Sequence, residues 1–266
     1  MRKRSILWAG WLVLLVAWLI HISLTPLFGE KVDHLVPEVI STLPHDPSAF
    51  TQGLLIDQED LYESTGLYGK SSLRRLNLKT GEILDQILLP EDQFGEGVTY
   101  WQGRLIQLTW KEEVSLVYQP KPLALLYQLA YEGEGWGLCT DGQSLLMTNG
   151  SSQILQRDPS TLAVQKTLNV SFKGQTISRL NDLVCVGNDI YANVWRTNYI
   201  IRIDKTSGKV TAVIDASGLL SAKERKALGK EAVLNGIAYH EATQTFFITG
   251  KYWPLIFEVR FVPVAK

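Results

Sequence analysis

A polar-plus-glycine step returns along this chain, and each time an apolar run follows it. The copies are Gln52-Gly53 before Leu54-Leu55-Ile56, Glu96-Gly97 before Val98-Thr99-Tyr100, Trp136-Gly137 before Leu138-Cys139-Thr140, and Asn235-Gly236 before Ile237-Ala238-Tyr239. Asn181-Asp182 before Leu183-Val184-Cys185 is a fifth copy, with Asp in place of Gly. Successive copies lie 44, 40, 45 and 54 residues apart.

Each interval has room for four short strands. A turn such as Trp101-Gln102-Gly103 or Gly187-Asn188-Asp189 follows the first strand, and second strands open at Leu61, Leu105, Leu145, Ile190 and Thr245. Lys79-Thr80-Gly81, Asp158-Pro159-Ser160 and Thr206-Ser207-Gly208 then separate third strands from fourth, with the residues that tight turns favour. Four strands in about 40–45 residues are the signature of a propeller blade. The expected fold is therefore all-β, a five-bladed β-propeller. Its last copy runs out after a third strand, so the alternating stretch Val39-Ile40-Ser41-Thr42-Leu43 is expected to supply the missing outer strand and close the ring. The longest interval is expected to hold a short helical insertion over residues 221–232.

Ahead of the repeats, Arg2, Lys3 and Arg4 precede an apolar run from Ile6 to Ile20, and no charged residue returns until Glu30. This pattern predicts a signal peptide or transmembrane anchor over residues 1–29, a linker over 30–38, and a propeller domain over 39–266 that works outside the cytoplasm, periplasmic or secreted. The formal net charge of −1 gives no electrostatic reason to expect nucleic acid. A closed ring leaves no sheet edge that demands a partner, so a monomer is expected. Cys139 and Cys185, the only cysteines, stand one register step apart in equivalent strands. Alternation then predicts opposite faces, two buried inert thiols and no disulfide.

Equivalence among the copies puts Gln52, Glu96, Trp136, Asn181 and Asn235 at one mouth of the central channel. Second strands return toward the same face, with Trp110, Trp195-Arg196 and Gly250-Lys251 at their ends. Taken singly, an indole is more often core and an Asn more often a turn residue; their shared position reverses that reading. One carboxylate, one ammonium and three indoles thus converge where a ligand site is expected. An acid short of water among indoles should have its pKa raised. The scattered histidines do not make a zinc site, and no nucleophile elbow occurs.

Several motifs together are specific enough to name a family. His45-Asp46-Pro47, Phe50-Thr51-Gln52-Gly53-Leu54, Phe94-Gly95-Glu96-Gly97, Gly135-Trp136-Gly137-Leu138, Arg179-Leu180-Asn181, Asn193-Val194-Trp195, Leu234-Asn235-Gly236-Ile237-Ala238 and Thr249-Gly250-Lys251-Tyr252-Trp253-Pro254 resemble the plant-type glutaminyl-peptide cyclotransferases, also found in bacteria. The resemblance runs from His45 to the carboxyl terminus. It implies a five-bladed propeller that turns amino-terminal Gln of a peptide or protein into pyroglutamate and ammonia, with no cofactor and no catalytic metal. Carried over by motif, the family's essential acid falls on Glu96 and its lysine on Lys251. Its pocket indoles fall on Trp110, Trp136 and Trp195, its amides on Gln52 and Asn181, and its mouth aromatic on Phe50. Asp182 stands where the family more often carries Glu. The rival readings are a non-catalytic propeller that binds a partner at the cell envelope, which predicts a broad exposed patch, and a lactonase-like hydrolase, which needs more channel carboxylates.

Overall fold

The computed structural model describes residues 31–264. The expected signal or membrane segment over residues 1–29 lies outside them. Among the described residues no helix is long and apolar enough to cross a membrane.

The described residues open with β1 (Asp33–Pro44) and then fold as successive four-stranded antiparallel units. The first is β2 (Thr51–Asp57), β3 (Asp60–Thr65), β4 (Ser72–Asn77) and β5 (Ile83–Leu88); the second is β6 (Gly95–Trp101), β7 (Arg104–Thr109), β8 (Val114–Pro120) and β9 (Leu123–Ala130). The third comprises β10 (Leu138–Thr140), β11 (Leu145–Thr148), β12 (Gln153–Arg157) and β13 (Val164–Asn169), followed by a small hairpin, β14 (Ser171–Phe172) with β15 (Gln175–Thr176). Next come β16 (Leu180–Val186), β17 (Asp189–Val194), β18 (Tyr199–Asp204) and β19 (Val210–Asp215), then the helix α1 (Ala222–Leu228), and last β20 (Leu234–His240), β21 (Thr245–Gly250) and β22 (Leu255–Pro263).

The last unit takes its fourth strand from the start of the chain: β1 pairs antiparallel with β22 from Leu35↔Pro263 to Pro44↔Leu255. The strand reaches further back than the sequence suggested. It starts at Asp33, within the stretch read as linker, because Asp33, His34 and Leu35 also pair in parallel with Ala212, Val213 and Ile214 of β19. Pro37 hid this extension. A proline is tolerated there because the pairing with β19 ends at Leu35, so at Pro37 the strand is paired on one side only.

Apolar clusters fill every space between neighbouring units. Tyr62 and Leu73 of the first pack with Leu105 and Leu116 of the second, and the series continues round until Ala238, Phe247 and Ile256 of the last unit meet Leu54 and Leu61 of the first. The fold is all-β and propeller-like, with its cores between sheets. The helix α1 is the insertion expected before the last unit; Ser221 caps it and Glu224 completes a capping box.

The repeated glycine has a packing cause. A Cβ on Gly97 would stand 2.5 Å from the Leu138 nitrogen and 2.7 Å from the Gly137 Cα, and one on Gly137 would stand 2.3 Å from the Asn181 oxygen and 2.7 Å from the Asp182 Cα. Inner strands of neighbouring units therefore touch backbone to backbone, which only glycine permits.

Cys139 and Cys185 contradict the sequence reading: they form a disulfide, with Cα atoms 5.8 Å apart. Alternation of faces governs partners within one hydrogen-bonded sheet. Here β10 and β16 belong to different sheets and lie side by side at the inner end of a shared core, and β16 is bulged between Leu180 and Leu183. Counting residues from the repeated step therefore does not fix which way either side chain faces.

Gly97→Ala should lower unfolding free energy by about 1–3 kcal/mol, because the clash is with backbone that cannot rotate away. Gly218→Ala is the control, since its Cβ would meet nothing within 4 Å. Urea unfolding that finds the two variants equally stable would overturn this account of the repeat.

Candidate active site

Two kinds of position face one end of the ring. Gln52 on β2, Glu96 on β6 and Asn181 on β16 sit at the starts of inner strands, with Phe50 and Trp136 just ahead of β2 and β10. Trp110, Trp195 and Lys251 follow directly on the ends of the second strands β7, β17 and β21. One hydrogen bond ties the two kinds together in unit after unit. Trp110 N donates to the Phe94 carbonyl at 2.9 Å, Trp195 N to the Arg179 carbonyl at 2.8 Å, and Lys251 N to the Val233 carbonyl at 2.9 Å. Each acceptor stands two residues before the repeated polar side chain, which holds the end of the second strand beside the start of the first.

Eight of the residues singled out by the sequence line one cavity of about 250 Å³: Phe50, Gln52, Glu96, Trp110, Trp136, Asn181, Trp195 and Lys251, joined by Phe94. Asn235, placed at the same mouth by equivalence, does not reach it. Its Nδ2 instead donates to the Thr51 carbonyl at 3.0 Å and to the Gln52 Oε1 at 3.3 Å, so it braces Gln52 from behind. Gln52 Nε2 in turn donates to Glu96 Oε1 at 2.8 Å. The Asn181 Oδ1 is buried and has no partner, which leaves it free to accept from a ligand.

Charge in this cavity is held under strong desolvation. Glu96 is 4% exposed, and burial pushes its carboxyl well above the usual range; Lys251 pulls the other way, while Asp182, Glu112 and Glu134 add to the rise. Lys251 is equally buried, and burial lowers its pKa to about 8 against the opposing pull of Glu96 and Glu231. Its Nζ lies 4.1 Å from the centre of the Phe50 ring, a cation–π contact that favours the ammonium.

The loop that carries Lys251 is anchored to the first unit. Tyr252, in the left-handed region at φ 61, donates its N–H to the Ala49 carbonyl at 2.8 Å. The Trp253 carbonyl lies 2.5 Å from His45 Nδ1, and His45 Nε2 lies 2.7 Å from Glu63 Oε1. Both partners are acceptors, so both ring nitrogens donate and His45 is an imidazolium. Burial works against that charge, but the Glu63 carboxylate outweighs it and the His45 pKa is raised.

Sequence reasoning missed Glu134. Its Oε2 accepts from Trp110 Nε1 at 2.9 Å and from Trp136 Nε1 at 3.1 Å. A signal was present, for Gly133-Glu134-Gly135 repeats the Gly-Glu-Gly setting of Glu96. Among the described residues, no group of three or more His, Cys, Asp and Glu is placed to hold a metal ion.

Known proteins resemble the chain along most of its length. The family model described as glutamine cyclotransferase matches residues 13–261. The glutaminyl-peptide cyclotransferase of Arabidopsis thaliana is 37% identical over 225 residues, covering 84% of this chain and 70% of the plant protein. The crystal structure of Myxococcus xanthus glutaminyl cyclase superposes with a TM-score of 0.82 at 34% identity, covering 88% of this chain and 100% of that one. With a cavity assembled from the family's own motifs, the chain belongs to the glutamine cyclotransferase family.

Proposed function

We propose that this protein is a glutaminyl-peptide cyclotransferase: it closes the amino-terminal Gln of a peptide or protein into pyroglutamate and releases ammonia, and its repeated units are the blades of one five-bladed ring. The observation that carries the reading is the buried carboxyl of Glu96, its pKa raised by burial, hydrogen-bonded to Gln52 at 2.8 Å in an indole-lined cavity that also contains Lys251. A cavity of about 250 Å³ falls below the roughly 300–1,000 Å³ typical of drug-sized ligands. It suits one side chain folded back on its own amine, and a broad partner-binding patch is not what lines it.

Cyclisation joins two groups of one residue, so folding the side chain into a near-attack shape supplies much of the rate. The α-amine attacks the side-chain amide carbon, forming a C–N bond and moving the carbonyl pair onto oxygen. Gln52 occupies Glu96 Oε1 as a donor, which leaves Oε2 to carry the acidic proton. That proton passes to the amide nitrogen as its bond to carbon breaks and ammonia leaves. The carboxylate then takes the surplus proton from the new lactam nitrogen, and Glu96 ends as it began. Such a relay contributes on the order of 10²–10⁴ in rate. The Lys251 ammonium stabilises the transient oxyanion, a contribution of about 3 kcal/mol for a preorganised donor. Asn181 Oδ1 accepts from the substrate's amine or amide.

We also propose that the domain works outside the cytoplasm. The basic start followed by an apolar run supports this, as does the Cys139–Cys185 disulfide, since such bonds persist in oxidising compartments.

Glu96→Gln preserves shape and an acceptor for Gln52 but cannot relay a proton. Ammonia release from a Gln-initiated peptide should fall about 10²–10⁴-fold with unchanged thermal stability; near-normal turnover would remove Glu96 from the chemistry. The pH dependence of kcat/KM should be a bell. Its ascending limb reports the substrate α-amine, which loses its proton at about 7.7–8.0, and its descending limb reports Lys251, whose ammonium is lost as pH rises through about 8. In Lys251→Arg, whose cation does not titrate there, the descending limb should shift, leaving only the loss of the Glu96 proton that the relay also needs; an unchanged limb would remove Lys251 from the profile. Thiols alkylated in intact cells, before lysis and without reductant, should leave Cys139 and Cys185 unlabelled. Two labelled thiols would place the domain in a reducing compartment.

A further inference from the structure

We propose that Glu134 is a positioning residue that sets the width and the apolar character of the pocket by holding Trp110 and Trp136 through their indole N–H groups. The proposal rests on the cyclotransferase reading for its kinetic consequences, though not for its geometry.

An indole has one donor and no acceptor. Both donors meet on a single oxygen, Glu134 Oε2, from rings carried by different units. The other oxygen, Oε1, lies 3.6 Å from Lys111 Nζ, which itself stands 3.9 Å from the centre of the Trp110 ring. Lys111, Trp110, Glu134 and Trp136 thus form one network at the rim of the cavity. The carboxylate cannot drift, because the loop beneath it is tied on both sides. Gly133 N donates to Glu113 Oε1 at 2.8 Å, Gly135 N donates to the Trp110 carbonyl at 2.9 Å, and Arg157 Nη2 donates to the Glu132 carbonyl at 2.9 Å. Beyond the network, Trp136 meets Trp195 edge to face at 5.5 Å and Trp110 packs on Phe94 at 5.5 Å.

Two consequences follow for substrate. With their N–H groups directed to Glu134, Trp110 and Trp136 offer the ligand only carbon surface. Polar recognition then falls to Gln52, Glu96, Asn181 and Lys251, and a substrate side chain with polar groups elsewhere meets unsatisfied contacts, the strongest basis for rejection. Second, the two rings line the same cavity from a shared anchor, so releasing them widens the slot that holds the folded Gln side chain. The loss is of binding that ground state and transition state share, which appears in KM more than in kcat.

The test compares Glu134→Ala with Glu134→Gln in the full-length protein. Glu134 is partly exposed and on a loop, and Gln keeps an acceptor oxygen. Glu134→Ala should raise KM for a Gln-initiated peptide about tenfold, as expected for loss of an acceptor shared by two donors, with kcat within about threefold. Its near-UV circular dichroism should lose tryptophan signal while far-UV signal and melting temperature hold. Glu134→Gln should restore both KM and the near-UV signal. An unaltered KM and near-UV spectrum in Glu134→Ala, or equal impairment of the two variants, would overturn the proposal. Should the wild-type protein release no ammonia, the cyclotransferase reading fails, and the near-UV comparison alone decides whether Glu134 holds the indoles.

Discussion

Backbone lies against backbone where the inner strands of neighbouring units meet, and the rest of the molecule is set by that contact. Gly97 and Gly137 leave no space for a Cβ, so the inner strands reach the axis at one depth and present the preceding residue at the same level. That is why Gln52, Glu96, Trp136 and Asn181 share a mouth though well over a hundred residues separate the first from the last. A looser ring would set them at unequal heights and no small cavity would form between them.

Asp182 shows the same constraint met in another way. It replaces the glycine of the copy that begins at Asn181, and its Oδ2 accepts from the Leu54 N–H at 3.2 Å and the Ile237 N–H at 2.8 Å. A carboxyl from one unit therefore satisfies inner-strand donors of two others, which would otherwise face a dry channel at the cost of a lost hydrogen bond each. Burial pushes its pKa to about 8 against those backbone hydrogen bonds. Asp182 thus ties three inner strands together, and its charge is among those that add to the rise of the Glu96 pKa.

What the sequence disclosed follows from where information is repeated. The polar-glycine step recurs because unit after unit packs closely at the axis, against backbone at Gly53, Gly97 and Gly137 and against the Leu54 and Thr51 side chains at Gly236, so strand order and the mouth residues could be read from one pattern applied to each copy. Contacts made once left no pattern. The Cys139–Cys185 bond joins two sheets whose relative rotation no residue count specifies, and alternation applied across that gap gave the wrong answer. The start of β1 was hidden because Pro37 breaks a strand pattern in general, while here it lies on the periphery. Glu134 escaped notice since its task is to two side chains that converge only after folding, although its Gly-Glu-Gly setting matched that of Glu96.

Glu96 and Lys251 are driven toward neutrality from opposite directions by one cause, the removal of water. A carboxyl that keeps its proton can give it to a departing amide nitrogen, and a carboxylate in the same place could not do so first. An ammonium near the point of losing its proton is a strong donor to an oxyanion, yet it is not so tightly paired with the acid that it restores the acid's charge. On the surface both groups would return to their ordinary pKa values and the proposed relay would have no proton to begin with. Aromatic walls and closely packed inner strands thus serve one electrostatic end: together they bury Glu96, and burial is the largest cause of its raised pKa.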